Sequence, residues 1–232
     1  LAIGLVVLLI ALQPDLGTSL LIGASGVYVL FFSGVRVMLL KNKWLNFLLL
    51  SSLFGGSLLL AWSYFLIAYQ KRRILTLFNP ESDPLGSGYH IIQSKIAIGS
   101  GGLTGKGITK GSQSQLDFVP EQSTDFIFSV LAEELGFLGV LLLIIIYSLI
   151  IYRCLILSLR CEDNFSRLLG ASLTFVFFTY IFVNIGMVSG LLPVVGIPLP
   201  LISYGGSSLI TLMASFGIIM SIHKHKGPRY LQ

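Results

Sequence analysis

Long apolar stretches, separated by short polar segments, make up most of this chain. After a first apolar run at 1–12, they cover 16–32, 44–69, 126–152, 168–188 and 204–222. A membrane-spanning helix needs about 20 residues, so the five later stretches are long enough and the first one is too short. The pattern predicts an all-α polytopic integral membrane protein with about five full transmembrane helices and a partial first one. We therefore expect a single membrane domain over 1–232 that is truncated at its N-terminus.

Composition agrees with this class and excludes a water-soluble fold. Hydrophobic residues make up 54% of the chain and charged residues 11%, and the mean hydropathy is +0.88. Soluble domains carry about 25% charged residues. Cys154 and Cys161 match no zinc-type cluster or disulfide framework, and we interpret them as free thiols near the cytoplasmic face. We expect no nucleic-acid partner.

The positions of the basic residues predict the orientation. Short cytoplasmic loops carry an excess of Lys and Arg, whereas long loops are translocated largely regardless of charge. Nine of the fifteen basic residues fall on one predicted side, at positions 36, 41, 43, 153, 160, 167, 224, 226 and 229. That side is predicted to be cytoplasmic, which places Asp15 and the large polar loop 70–124 outside the cell.

The external loop shows internal organisation. Residues 79–88 read as consecutive turns, 89–98 are partly amphipathic, and 99–111 contain six glycines. We expect a short helix over 89–98 that lies on the membrane surface. We also expect the glycines to allow a close approach to a ligand. A loop of this length is usually functional or disordered, and its carboxylates beside basic residues suggest chemistry on an anionic, lipid-linked substrate.

The acidic residues at the end of the loop are candidates for catalysis. Asp117, Glu121 and Asp125 recur at four-residue intervals, and Asp125 directly precedes an apolar helix for which Thr124 is a plausible N-cap. Asp125 is either an ordinary helix-start residue, favoured by the helix dipole, or a general base for a substrate hydroxyl. Its spacing alone leaves both interpretations open.

Other charged residues also allow two interpretations. Arg73, beside Arg72, could extend its head group to the membrane interface or, with Lys95, bind a pyrophosphate. Asp15 could cap a helix or line the external cavity. Glu133 and Glu134 lie roughly 12–13 Å beyond Asp125 along a helix, where they either face a polar cavity or a partner, or mark the membrane boundary.

An irregular apolar segment at 184–208 contains three prolines and several glycines. Non-helical backbone at membrane depth is tolerated only where it is buried in protein or lines a cavity. We therefore predict that Pro198, Ser203 and Gly205 line a pocket wall. Close helix packing by small residues is the alternative for 205–208.

These motifs resemble the SEDS family (shape, elongation, division and sporulation proteins), and its elongation branch more than its division branch. The matching stretches are 13–18 (Gln-Pro-Asp-Leu-Gly-Thr), 73–88, 99–102, 124–128, 133–136 (Glu-Glu-Leu-Gly) and 184–208, which is essentially the family signature. The family's essential aspartate falls on Asp125. The chain carries Asp117 where family members often have Glu, and Ser123 where they often have His.

The resemblance implies a peptidoglycan glycosyltransferase of the bacterial plasma (inner) membrane, with its active site on the extracytoplasmic side. Such an enzyme polymerises lipid II, an undecaprenyl-linked substrate, and releases undecaprenyl pyrophosphate during cell elongation. Asp125 would be the base, and Arg73, Lys95, Asp117, Glu121 and Asp15 would contact substrate, with a divalent cation (Mg or Mn) as an implied cofactor. Implied partners are a class B penicillin-binding protein and other elongation-complex membrane proteins. A lipid II flippase and a non-catalytic scaffold are the alternatives.

Overall fold

The apolar stretches fold into packed helices. The computed structural model describes residues 2–13, 15–34, 45, 52, 63, 67–83, 86–115 and 123–224. The helices within them are α1 (Ala2–Leu12), α2 (Leu16–Phe32), α3 (Ala68–Phe78), α4 (Ser87–Ser100), α5 (Ser112–Gln115), α6 (Ile127–Leu159), α7 (Asn164–Val188) and α8 (Gly206–Lys224), with a 3₁₀ turn at Pro80–Ser82. This described part contains no strand, and the predicted all-α class is confirmed.

Among the described residues, three helices are long and apolar enough to cross a membrane: Ile127–Leu159, Asn164–Val188 and Gly206–His223. Gly17–Phe32 is a shorter apolar helix. Leu142 and Leu149 on α6 are exposed, as expected for side chains that face lipid tails. The chain is therefore a multi-pass membrane protein. The predicted span at 44–69 lies almost entirely outside the described residues, so the count of five full spans stays a prediction.

The centre of the packing is formed by α6 and α7. Tyr147 of α6 is buried beside Phe177 of α7, which in turn packs edge-on against Phe216 of α8 at 5.2 Å between ring centroids. On the other side of α7, Phe175 packs against Phe32 of α2 at 4.9 Å. These contacts place α2 and α8 on opposite flanks of α7 and bring the start of α2 beside the segment that follows α7.

Helix α4 is an internal helix of the domain. Ile91, Ser94 and Ala97 on one of its faces are fully or almost fully buried, and Ser94 Oγ donates to the carbonyl of Val188 at 2.8 Å. This face is covered by α6 and the end of α7. The prediction of a helix over 89–98 is therefore confirmed, its apolar side packs against protein, and its placement on the membrane surface stays a prediction.

Helix α6 is interrupted at Gly136, which has φ 66° and ψ −166°. In a continuous helix the amides of residues 137 and 138 would donate to the carbonyls of residues 133 and 134. Here the amides of Phe137 and Leu138 donate to the carbonyls of Gly102 and Leu103, while the carbonyls of Glu133 and Glu134 accept from the amides of Lys106 and Gly107, at 2.9–3.1 Å. Four hydrogen bonds to the glycine-rich loop thus replace two helical ones.

Candidate active site

Asp125 lies in the turn 123–126 that leads into α6. The helix begins at Ile127 with Phe126 in the N-cap position. The predicted N-cap at Thr124 is therefore wrong, and Asp125 belongs to the turn rather than to the first helical turn. The reason is that the carbonyl of Thr124 is engaged by another part of the chain.

Three successive backbone carbonyls of this turn accept hydrogen bonds from α7 and from the irregular segment 189–205. The amide of Tyr204 donates to the carbonyl of Ser123 at 2.9 Å, Ser203 Oγ to that of Thr124 at 2.6 Å, and Asn184 Nδ2 to that of Asp125 at 2.8 Å. Buried polar groups are costly unless hydrogen-bonded. The turn is therefore fixed along its whole length by one neighbouring surface.

Two cavities meet at Asp125. The first has a volume of about 530 Å³ and a mostly apolar lining between α7 and α8, which includes Leu173, Phe177, Leu199, Leu201 and Leu212. The second, here called the polar cavity, has a volume of about 430 Å³ and a more polar lining than the first, which includes Tyr69, Arg72, Arg73, Asp83 and His90. Asp125 contributes to both linings. Asp125 therefore lies where an apolar compartment adjoins one that contains two arginines, one of which is paired with Asp83.

Arg73 is held in a defined position within the polar cavity. Its guanidinium donates to the carbonyl of Val194 at 3.1 Å and to the Tyr69 hydroxyl, and it lies over the Tyr69 ring at 4.5 Å. Arg72 pairs with Asp83 at 2.8 Å, although its own side chain is 64% exposed. A guanidinium has five N–H donors in a planar array that suits phosphate oxygens. The cavity can therefore bind an anionic group next to Asp125.

Asp15 caps α2 at the same end of the bundle. Its carboxylate accepts from Thr18 Oγ1 at 2.6 Å and from the Thr18 amide at 3.1 Å. These hydrogen bonds lower the pKa of Asp15 below its ordinary value, and the charge of Arg73 lowers it further. The capping interpretation of Asp15 is therefore correct, and the carboxylate also contributes to the electrostatic surroundings of Arg73.

Comparison with known proteins identifies the family. The family profile described as "Cell cycle protein" (FTSW_RODA_SPOVE) matches residues 1–227. The chain belongs to the FtsW/RodA/SpoVE family. This is the SEDS family that the sequence motifs indicated.

Members of this family supply both a functional and a structural comparison. Peptidoglycan glycosyltransferase MrdB of Escherichia coli K12 is 55% identical over 219 residues, which cover 94% of this chain and 57% of that protein. A solved structure concerned with polymerization and crosslinking by a peptidoglycan synthase complex matches with a TM-score of 0.74 and 34% identity, over 94% of this chain and 58% of the matched chain. The crystal structure of Thermus thermophilus rod shape determining protein RodA matches with a TM-score of 0.57 and 30% identity, over 100% and 57%. The chain thus spans somewhat more than half of these relatives.

Lys95 of this FtsW/RodA/SpoVE chain lies against the segment that follows α7. It belongs to the lining of neither cavity, and its side chain runs across Gly190, where a Cβ would come within 2.2 Å of Lys95 Cε. Gly190 has φ +72°, a conformation that glycine adopts without strain. A joint pyrophosphate site of Lys95 and Arg73 therefore stays a prediction: Arg73 lines the polar cavity, whereas Lys95 lies against Gly190 at the end of α7.

Glu133 and Glu134 also lie outside both cavity linings. The Glu133 side chain is fully buried and accepts from Lys106 Nζ at 2.7 Å, from the Gln113 amide at 3.0 Å and from Ser112 Oγ at 3.2 Å. Glu134 Oε1 accepts from the Thr109 amide at 3.0 Å. The prediction that they line the cavity is corrected by these contacts: both carboxylates fasten the glycine-rich loop to α6.

The remaining predicted residues divide into two groups. Pro198, Ser203 and Gly205 line the apolar cavity. Asp117 and Glu121 lie outside the described residues.

Within the described part of the chain, no group of three or more His, Cys, Asp or Glu side chains is close enough together to hold a metal ion. The described residues therefore do not identify ligands for a divalent cation, and the cation stays a proposal.

Several residues of the site were not singled out from the sequence. The His90 ring stacks on Phe126 with 5.6 Å between centroids and lines the polar cavity, and Tyr69 supports Arg73. Gly196, with φ +79°, leaves room beside the carboxylate, since a Cβ there would lie 3.4 Å from Asp125 Oδ2. Among the residues that hold the site, Asn184 could have been noticed in the sequence, because it is a single amide side chain near the end of an apolar helix.

Proposed function

We propose that the protein containing this chain is a peptidoglycan glycosyltransferase that polymerises lipid II and releases undecaprenyl pyrophosphate in cell elongation. The observation that carries the proposal is the position of Asp125 between an apolar cavity and an arginine-lined one. A lipid-linked pyrophosphate likewise consists of an apolar chain joined to an anionic group. The proposal also has the support of the 55% identity to a relative named as a peptidoglycan glycosyltransferase.

Each residue of the proposed active site has a separate role in the reaction. The Asp125 carboxylate takes the proton of the 4-hydroxyl of the acceptor sugar, and the resulting oxygen attacks the anomeric carbon of the growing chain. The bond from that carbon to the pyrophosphate oxygen breaks, with inversion, and the electron pair leaves on the pyrophosphate. Arg73 stabilises this developing negative charge, while the apolar cavity between α7 and α8 holds part of a prenyl chain. No step is assigned to a cation.

We place the protein in the bacterial plasma (inner) membrane, with the turn 123–126 on the extracytoplasmic side. Its proposed macromolecular partners are a class B penicillin-binding protein and other membrane proteins of the elongation complex. The similarity to a structure of a peptidoglycan synthase complex supports the first of these partners.

The transport alternative has less support. It rests on Glu133, Glu134 and the irregular segment as the lining of a path through the membrane, and the irregular segment does line a cavity. The carboxylate of Glu133 is instead enclosed by Lys106, Ser112 and Gln113. A carboxylate saturated by protein donors is a poor relay for a transported group.

Polymerisation by purified protein tests the proposal. Because the chain spans 57% of the Escherichia coli relative, the assay uses this chain joined to the N-terminal part of that relative, with a class B penicillin-binding protein. Labelled lipid II should yield glycan polymer and an equivalent amount of undecaprenyl pyrophosphate. Translocation of lipid II across proteoliposomes without polymer would contradict the enzyme proposal and favour transport.

A further inference from the structure

A buried amide holds the backbone of Asp125. The side chain of Asn184 is fully buried, and its Nδ2 donates to the carbonyls of Asp125 at 2.8 Å and of Ile197 at 2.6 Å. Two carbonyl acceptors fix which end of the amide faces them, since Oδ1 would repel both. One side chain of α7 therefore joins the turn that carries Asp125 to the irregular segment 189–205.

Ser203 makes a second connection between the same two segments. Its hydroxyl donates to the carbonyl of Thr124 at 2.6 Å and accepts from the Leu199 amide at 2.7 Å. Ile197 and Leu199 flank Pro198, so both connections anchor to the same short part of the irregular segment. Neighbouring Gly196 forms the wall beside the Asp125 carboxylate. The backbone of Asp125 and the surface facing its side chain are thus tied together.

We propose that Asn184 and Ser203 are positioning residues, which keep the Asp125 carboxylate at the junction of the two cavities. This inference rests on the proposed role of Asp125 as the general base. Asn184 belongs to the lining of neither cavity, so its effect on the reaction passes through Asp125. A base must lie within about 2.6–3.2 Å of the proton that it removes.

A displaced base should impair the chemical step more than substrate binding. A shift of 1 Å in a reacting group can cost roughly 100-fold in rate. Arg73 lies on α3 and is held by Val194 and Tyr69, which are not bonded to Asn184. We therefore expect variants of Asn184 to lower kcat while KM for lipid II stays near its original value.

The test measures initial polymerisation rates against lipid II concentration in the full-length fusion. Asn184→Ala and Ser203→Ala should each lower kcat by roughly 10- to 100-fold with little change in KM. Ser203→Thr, which keeps a hydroxyl donor, should restore most of the rate. Tyr147→Phe is the control, because the Tyr147 hydroxyl donates to the carbonyl of Pro200 in the same segment but does not touch the turn. It should leave kcat near that of the original protein.

Several outcomes would overturn the inference. An unchanged kcat in Asn184→Ala would do so, and so would a raised KM with unchanged kcat or an equal loss in Tyr147→Phe. If thermal unfolding shows that Asn184→Ala is not folded, the comparison of Ser203→Ala with Ser203→Thr tests the inference instead. Asp125→Asn distinguishes failure of this inference from failure of the proposed function. If Asp125→Asn is inactive and Asn184→Ala is unimpaired, only the positioning role is refuted. If Asp125→Asn is active, both the proposed base and the positioning role are refuted.

Discussion

Lys106 Nζ lies 2.7 Å from Oε1 of Glu133, a carboxylate that is closed to solvent. The pair joins the glycine-rich loop to α6 eight residues after Asp125. Removing one partner of a buried ion pair leaves the other uncompensated, which typically costs about 3–5 kcal/mol. The Lys106 side chain is 30% exposed, so we expect the lower end of that range.

Glu133→Ala should therefore lower the free energy of unfolding by about 3 kcal/mol, measured in detergent by denaturant or thermal unfolding. Glu134→Ala is the matched control, because Glu134 is only partly buried and its described contact is one hydrogen bond from Thr109. Equal losses in the two variants would show that the Lys106 pair is not the dominant anchor of the loop.

Gly136→Ala should release the loop from the break in α6. A Cβ at this position would lie 2.2 Å from the amide nitrogen of Gly105, and the backbone conformation is one that only glycine adopts readily. We expect destabilisation by at least about 3 kcal/mol and faster hydrogen exchange at the amides of Lys106 and Gly107. Gly99→Ala is the control, since nothing lies within 4 Å of its Cβ position. Unchanged exchange in Gly136→Ala would contradict the described docking.

The sequence predicted the helical class and the composition of the apolar cavity wall because both depend on local patterns. Apolar runs of sufficient length give spanning helices, and three prolines within 189–205 disfavour regular helix there. The amino acids themselves therefore placed Pro198, Ser203 and Gly205 on the irregular segment. No tertiary contact was needed for those predictions.

The predictions that failed concern residues whose partners are distant in sequence. Glu133 and Glu134 follow Asp125 closely along the chain, yet their carboxylates bind Lys106 and Thr109 of the glycine-rich loop rather than line a cavity. The break at Gly136 could not be predicted either, because the sequence Glu-Glu-Leu-Gly is compatible with a regular helix. The break depends on the loop amides that donate to the carbonyls of Glu133 and Glu134. Side-chain burial and loop insertion are tertiary properties that periodicity does not encode.

Asp15 should make stability dependent on acid pH. Its folded-state pKa is lowered, chiefly by the Thr18 hydrogen bonds. Its contribution to stability is therefore present above the ordinary pKa of about 3.9 and is lost as pH falls through the lower folded value. Asp15→Asn keeps a capping side chain but removes the titration. The unfolding temperature of the original protein should fall more than that of Asp15→Asn between about pH 5 and pH 2, and parallel curves would contradict this.

Arg73 should matter to the reaction far more than Lys95. Arg73→Met removes the cation that lies in the polar cavity with Asp125, and we expect kcat/KM for lipid II to fall by about 100-fold. Lys95→Met removes an equal charge from a residue outside both cavity linings and should have a much smaller effect. A comparable loss of kcat/KM in both variants would indicate that Lys95 also belongs to the substrate site.

The most direct test of the account is the polymerisation rate of Asp125→Asn in the full-length fusion with its penicillin-binding partner. Asp163→Asn is the matched control: Asp163 is an exposed helix cap in the loop between α6 and α7, and asparagine also serves as a cap. We expect a folded Asp125→Asn protein with no detectable glycan polymer, and normal polymer from Asp163→Asn. Polymer at the original rate from Asp125→Asn would contradict the assignment of Asp125 as the catalytic base.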